Sequence, residues 1–196
     1  NIFLFNKLKA FHMTYPGIRL KLYNYSTPQA IDAVKSGKID FAIVSTPASV
    51  ESPLRQIMLQ PFQEILVGGT TFTALGSQEL SLAELKNYPL ISLGRETTTF
   101  QFYHSLFLSH GLELAPDTET ATTDQILILP LVKCELGLAF LPEAMARDSI
   151  QKREIVQISL KENIPERNIC MVYDCQHPLN TAARQFRKMI LEDHLS

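Results

Sequence analysis

The stretch "YPGIRLKLYNYSTPQAIDAVKSGKIDFAIVS", residues 15–45, decides the fold class of this 196-residue chain. Apolar side chains alternate with polar ones over 18–22, which predicts a strand with one covered face. Residues 27–36 have the pattern of a helix, and the near-continuous apolar run at 39–45 is typical of a strand buried on both faces of a parallel sheet. A unit this compact predicts a right-handed crossover between parallel strands, and hence an α/β fold.

The same alternation of strands and helices continues along the chain. Residues 2–13 form a helix that is apolar on more than one face, and Ser26 or Thr27 caps the helix at 27–36. Strands are then expected at 60–69, 89–94, 117–122, 138–142, 153–160 and 167–174, and helices at 81–88, 97–111, 124–137 and 180–195. Pro130 falls inside one of these helices, so a kink or a restart is expected there.

This order predicts two α/β halves, with the chain crossing between them near 68–75 and returning near 170–178. The predicted first subdomain consists of residues 1–70 and 176–196, and the second of residues 71–175. The chain has enough apolar sequence to bury a core, since hydrophobic residues make up 45% of it.

Composition excludes several classes of function. The net charge of −2 leaves no general basic surface for nucleic-acid phosphates, so DNA would need another segment. The longest apolar runs are well short of the ~20 residues that a membrane span needs, and the start of the chain does not have the pattern of a signal peptide. Three cysteines, an odd number, predict reduced and mostly buried thiols in a cytoplasmic protein.

The sequence offers little for catalysis. It contains no G-x-S-x-G motif, and its five histidines show no metal-ligand spacing. His104 and Ser105 are neighbours on a predicted helix and point about 100° apart. Gly68 and Gly69 follow a strand without the rest of a dinucleotide motif, which favours a hinge or a turn. We therefore predict a protein that is not an enzyme and that holds no cofactor and no metal.

Hydroxyl side chains recur where predicted strands end and helices begin. They are Ser45 and Thr46, then Thr97, Thr98 and Thr99, and then Thr122 and Thr123. The carboxyl ends of strands in open α/β sheets bind ligands, and helix N-termini favour anions, so these clusters predict a ligand site with Arg95 as a cationic contact. Helix capping explains any one of these hydroxyls equally well.

The quoted stretch resembles the opening of the effector-binding domain of LysR-type transcriptional regulators, with its Y-P-G turn and its "SGKIDFAIVS" strand. Three later segments resemble further landmarks of that family in the same order: "PFQEILVGG" at 61–69, "SLAELKNYPLISLG" at 81–94 and "LVKCELGLAFLP" at 131–142. The resemblance covers essentially the whole chain. Glu135, where the family usually has glycine, and Phe100, where arginine is frequent, depart from its pattern.

The resemblance implies a fold like the type 2 periplasmic binding proteins, with two α/β subdomains joined by two crossover strands. It implies a small-molecule inducer in the cleft between them, contacted by Ser45, by Thr123 and by the loop at Thr97–Thr99. Together with the helix N-termini, which favour anions, this predicts an anionic metabolite as the inducer. It also implies a homodimer or homotetramer, through the first helix and a helix of the second subdomain. DNA would be bound only by an N-terminal winged helix-turn-helix that, like the first strand, is absent from this chain. A secreted solute-binding protein and an enzyme on the same fold are the alternatives.

Overall fold

The computed structural model describes residues 2–120 and 125–192, with side chains from Leu4 onward. The chain forms two compact units: unit 1 is Asn1–Gln60 with Asn168–Ser196, and unit 2 is Pro61–Arg167. Both transitions lie earlier in the chain than the predicted boundaries at 70 and 175. The difference arises because the strand after residue 63 belongs to the sheet of unit 2, and most of the strand after residue 167 belongs to that of unit 1.

The described residues form helices and strands in mixed order. The α-helices are α1 (Ile2–Thr14), α2 (Thr27–Lys35), α3 (Thr98–Ser109), α4 (Ile128–Lys133), α5 (Glu143–Gln151) and α6 (Thr181–Glu192). The strands are β1 (Phe41–Ser45), β2 (Leu54–Phe62), β3 (Glu64–Gly69), β4 (Glu79–Leu80), β5 (Leu90–Leu93), β6 (Thr118–Thr120), β7 (Leu138–Pro142), β8 (Ile155–Leu160) and β9 (Arg167–Asp174). Short 3₁₀ helices lie at Thr70–Ser77, Leu82–Asn87 and Gln125–Leu127.

Unit 1 is a three-stranded sheet, in the order β1-β9-β2, with helices packed against it. Helix α2 is closed at its start by a capping box between Ser26 and Gln29, and Gly37 follows it with a φ of 71°. Its residues Ala30 and Val34 pack on Val44 of β1. Helices α1 and α6 meet in a second cluster, where Phe11 packs edge-on against Phe186 at 5.0 Å between ring centroids.

The strand predicted at 18–22 is not formed in the described structure. These residues have no regular secondary structure and no sheet partner among the described strands, and Leu20 and Leu22 are 41% and 66% exposed. Strand β1 pairs antiparallel with β9, and its burial alternates instead of being complete on both faces. The predicted parallel crossover is therefore wrong for this pair, because alternation predicts which face is covered but cannot supply the neighbouring strand whose hydrogen bonds make a ladder.

Unit 2 is a six-stranded mixed sheet in the order β4-β8-β3-β7-β5-β6. Alternate residues of β3 and β7 enter two separate cores. Leu66 joins the cluster that packs under α3, whereas Val67 joins the cluster under α4 and α5. Helices thus cover the sheet through both clusters. The structure confirms the predicted α/β class, because helices pack on mixed sheets. It also contains two crossover strands, since β2 and β9 each run from one unit into the other.

Most helix ends lie where local sequence places them. Thr97 caps α3, Asn180 accepts the Ala183 N–H at 2.8 Å at the start of α6, and a Ser81–Glu84 capping box starts the 3₁₀ helix at Leu82–Asn87. The restart expected near Pro130 is confirmed: a 3₁₀ turn precedes α4, so Pro130 lies in the first turn, where its missing N–H is tolerated.

Other sequence-based expectations fail. Strand β2, helix α5 and the 3₁₀ helix at Thr70–Ser77 were not predicted. Gly68 and Gly69 are not a turn but the buried end of β3, where a Cβ on Gly69 would lie 2.2 Å from the Glu135 carboxylate. All three cysteines are free thiols, and only Cys170 is buried. Among the described helices, none is long and apolar enough to cross a membrane.

Candidate functional site

The carboxyl ends of two parallel strands meet at one edge of unit 2. Strand β5 pairs parallel with β6, with Leu93 opposite Thr120, so both strands leave the sheet on the same side. The chain after β5 turns through Gly94 and enters α3 within a few residues. In open α/β sheets this edge is where ligands bind, and the predicted threonines Thr97–Thr99 lie on it.

The threonines Thr97–Thr99 have different structural roles at the start of α3. Thr97 is the N-cap: its hydroxyl accepts the Phe100 N–H at 3.1 Å and donates to the Gly94 carbonyl at 2.7 Å. Its carbonyl accepts the Gln101 N–H at 3.1 Å. The N–H groups of Thr98 and Thr99 are the first of the helix, which have no partner within the helix, and the positive end of the helix dipole lies there. This arrangement favours an anionic or hydrogen-bond-accepting group.

A buried arginine, Arg167, forms hydrogen bonds with the Thr99 side chain. The Thr99 hydroxyl accepts hydrogen bonds from both terminal nitrogens of Arg167, at 3.2 and 3.3 Å. Arg167 is 1% exposed, lies between the Phe62 and Phe102 rings at 5.3 and 4.9 Å from their centroids, and pairs with Glu64 at 3.1 Å. The predicted ligand-contacting helix is therefore tied to a charge pair inside the unit.

Glu64 is the acceptor on which this cluster converges. One carboxylate oxygen receives Arg167 and the side-chain amide of Gln125, the latter at 2.9 Å, and the other receives the Tyr103 hydroxyl. Burial and then the charge of Glu64 raise the pKa of Tyr103 well above its ordinary value, so its hydroxyl stays protonated. Neither Glu64 nor Arg167, which are 103 residues apart, was predicted as a site residue from the sequence. The sequence contained one indication of these residues: a charged residue next to an apolar strand, Glu64 in "QPFQEILVGG" and Arg167 in "RNICMVYD".

Arg95, the predicted cationic contact, lies on the surface. Its side chain is 72% exposed and forms a 3.6 Å ion pair with Glu119 of β6. Its guanidinium also lies over the Phe100 ring at 5.8 Å from the centroid. Its guanidinium therefore already has an acidic neighbour on the same surface, in an exposed and solvent-screened pair.

The predicted hydroxyls of unit 1 lie at the end of β1. Ser45 pairs with Ile169 in the ladder. Thr46 extends the pairing, since its N–H donates to the Asn168 carbonyl at 2.9 Å and its hydroxyl accepts the Asn168 N–H at 2.8 Å. Thr122 and Thr123 lie outside the described residues. Within the described ranges, no group of three or more His, Cys, Asp or Glu side chains has the arrangement of a metal site.

Comparison with known proteins identifies the family. Residues 1–194 match the family described as the LysR substrate binding domain. The chain belongs to this family. The match covers nearly all of the chain and confirms the resemblance seen in its sequence.

Relatives of this LysR domain are regulators of transcription. The HTH-type transcriptional regulator CysB of Haemophilus influenzae is 26% identical over 137 residues, which are 68% of this chain and 41% of that protein. The chain thus spans less than half the length of this relative.

Solved structures show the same fold at lower identity. The effector-binding domain of QuiR, in complex with shikimate, superposes with a TM-score of 0.80 at 17% identity, over 97% of this chain and 89% of that one. The regulatory domain of CcmR from Synechocystis PCC6803, in complex with 2-PG, superposes with a TM-score of 0.83 at 14% identity. The superposition covers 98% of this chain and 91% of that one. The residues and the cleft predicted to hold a ligand in this chain stay predictions.

Proposed function

We propose that this LysR domain senses a small, anionic metabolite and passes the signal to transcription. The observation that carries the proposal is the start of α3, where the Thr98 and Thr99 N–H groups and the Thr99 hydroxyl lie at the carboxyl end of β5. The complexes of the QuiR and CcmR domains with shikimate and 2-PG support a small-molecule ligand.

The proposed contacts have separate roles. Thr98 and Thr99 donate backbone and hydroxyl hydrogens to the ligand, and Thr97 holds the helix start in place as its cap. Further proposed ligand contacts are Ser45 and Thr46 in unit 1, and Thr122 and Thr123. Arg95 is proposed as a cationic contact near the start of α3. Since a neutral hydrogen bond contributes only about 0.5 to 1.5 kcal/mol, several of these groups are needed for micromolar binding.

The signal requires partners beyond this chain. By analogy with CysB, we propose that the domain works in the cytoplasm, joined to a helix-turn-helix segment that binds DNA. We also propose a homodimer or homotetramer through α1, because Phe5 and Met13, eight residues apart on this helix, are 60% and 73% exposed. The regulator is expected to exist in two conformations that differ in their effect on transcription. A ligand shifts the equilibrium between them only by the difference between its affinities for the two.

The α3 site is tested by nuclear magnetic resonance on the ¹⁵N-labelled chain. Sodium sulfate and shikimate are titrated at constant ionic strength, and the expected result is a saturable shift of the Thr98 and Thr99 amides. Replacement of the cap in Thr97→Ala should weaken this binding. Shifts confined to other regions, or no shift, would overturn the assignment, and export of the protein from the cytoplasm would favour a solute-binding protein instead.

A further inference from the structure

Unit 2 contains a small, partly open cavity under α3. Its volume is about 20 Å³, enough for one water-sized group. Leu93, Ile128 and Phe140 provide part of its apolar wall, and Thr99, Tyr103 and Gln125 are its polar members that also belong to the buried charge cluster. The cavity is therefore lined on one side by the groups that Arg167 and Glu64 orient.

The hydrogen bonds of the cluster dictate what each polar group offers. The Thr99 hydroxyl oxygen has two lone pairs, and both accept hydrogen bonds from the Arg167 guanidinium. The hydroxyl can therefore bind a further group only by donating its proton. Among the described residues, that proton has no hydrogen-bond acceptor. Because the guanidinium is charged, it also polarises the hydroxyl and strengthens it as a donor.

Tyr103 and Gln125 have the opposite role. The Tyr103 proton is committed to Glu64, and the Gln125 amide nitrogen donates to the same carboxylate. What they can still present is an acceptor: the phenol oxygen of Tyr103 and the amide oxygen of Gln125. The Ser92 hydroxyl, which also lines the cavity, donates to the Leu93 carbonyl at 3.0 Å and is likewise left as an acceptor. One donor and three acceptors therefore belong to a space that holds a single oxygen atom.

Resting on the function proposed above, we propose that this cavity binds one hydroxyl group of the effector. An alcohol oxygen accepts from Thr99 while its proton goes to Gln125 or Tyr103. A carboxylate oxygen has no proton to give and would face their lone pairs, and a methyl group would leave the Thr99 donor unsatisfied. The effector class is thus a hydroxylated acid, with its acid group at the start of α3 and one alcohol in the cavity.

The test compares ligand pairs that differ in hydroxyl groups. L-malate against succinate, and shikimate against 1-cyclohexene-1-carboxylate, are titrated into the ¹⁵N-labelled chain while the Thr99 amide is followed. At least one hydroxylated probe should bind about tenfold more tightly than its partner, because a site with buried polar groups rejects an analogue that cannot satisfy them.

Three variants assign the preference to the cavity. Thr99→Val, which keeps the shape without the hydroxyl, should reduce the preference to below about twofold, and Thr99→Ser should restore it. Ser105→Ala, an exposed position on the same helix, is the matched control and should leave the preference unchanged. A spectrum with native dispersion shows that each variant is folded.

The outcomes separate the two proposals. If no probe moves the Thr98 or Thr99 amide, the anion site itself is overturned, and the cavity proposal with it. If the probes bind there but each pair binds equally, or if Thr99→Val keeps the preference, only the hydroxyl site is overturned. An ordered water that stays in the cavity of a malate-bound crystal would also overturn it.

Discussion

At the scale of single residues, Glu135 shows how the chain accommodates a departure from the pattern of its family. It adopts a φ of 63°, the left-handed region that glycine occupies most easily. Its carboxylate accepts the Thr70 N–H and hydroxyl, both at 2.7 Å, and the Thr71 N–H at 3.2 Å. The side chain therefore caps the 3₁₀ helix at Thr70–Ser77 and offsets the strain of its own backbone.

We predict that this cap makes stability depend on pH. Hydrogen bonds from the Thr70 hydroxyl, and then from Thr71, lower the pKa of Glu135 below its ordinary value of 4.5. A lowered pKa means that the stabilisation is complete above about pH 5 and disappears as pH falls through the folded-state value. In thermal melts the advantage of the wild type over Glu135→Gln should therefore shrink between about pH 5 and pH 3.

Thr70→Val is the matched control for this prediction. It removes the hydroxyl that contributes most to the shift, so its own deficit should shrink over the same interval. A deficit of Glu135→Gln that stays constant with pH would contradict the role of the carboxylate charge.

The Glu64–Arg167 pair gives a second prediction at this scale. Both residues are 1% exposed, so Glu64→Leu leaves the guanidinium buried without its counter-charge. We expect a loss of about 3 to 5 kcal/mol in urea unfolding. The double variant Glu64→Leu with Arg167→Met removes both charges and should recover most of that loss, because apolar replacement of a whole buried pair is often neutral. A double variant as unstable as Glu64→Leu would contradict the pairing.

At the scale of elements, the junction between β5 and β7 depends on Gly137. Its φ is 150°, and a Cβ there would lie 2.4 Å from the Pro89 carbonyl oxygen, which accepts the Leu138 N–H at 2.8 Å. Any side chain must push the start of β7 away from the residue that precedes β5. The glycine thus permits the close approach of two neighbouring strands.

We predict that Gly137→Ala destabilises the chain by about 2 kcal/mol or more, from backbone strain and displacement of the strand. Gly17→Ala is the control, because nothing lies within 4 Å of its Cβ position, and it should change stability by less than about 0.5 kcal/mol. Urea unfolding of both variants measures the difference. Equal stabilities would show that the junction relaxes without cost.

At the scale of the whole molecule, the exposed face of α1 predicts self-association. The variants Phe5→Glu and Met13→Glu place a charge on this face. The control is Met58→Glu, which places a charge at an apolar position of β2 that is 63% exposed but lies outside α1. We expect sedimentation velocity to show a dimer or tetramer for the wild type and for Met58→Glu, and a monomer for the two α1 variants. A wild type that is monomeric at about 100 µM would contradict the proposed assembly.

The sequence by itself determined the α/β class, most helix ends and the positions of the hydroxyl clusters. These features depend on residues close together in the chain: Ser26 caps α2, Thr97 caps α3, and Pro130 marks the restart of α4. Short-range capping and steric effects act within about one helical turn, so a linear pattern contains them.

Tertiary structure alone decided which strands pair and which hydrogen bonds each hydroxyl makes within the fold. Alternation at 18–22 predicted a strand, but no described strand lies beside it, and β1 pairs with β9 from the far end of the chain. Thr97 and Thr99 look equivalent in sequence, yet the Thr97 hydroxyl caps α3, whereas the Thr99 hydroxyl accepts from Arg167, which is 68 residues away. Sheet partners and buried charge pairs join residues far apart in sequence, so no local pattern specifies them.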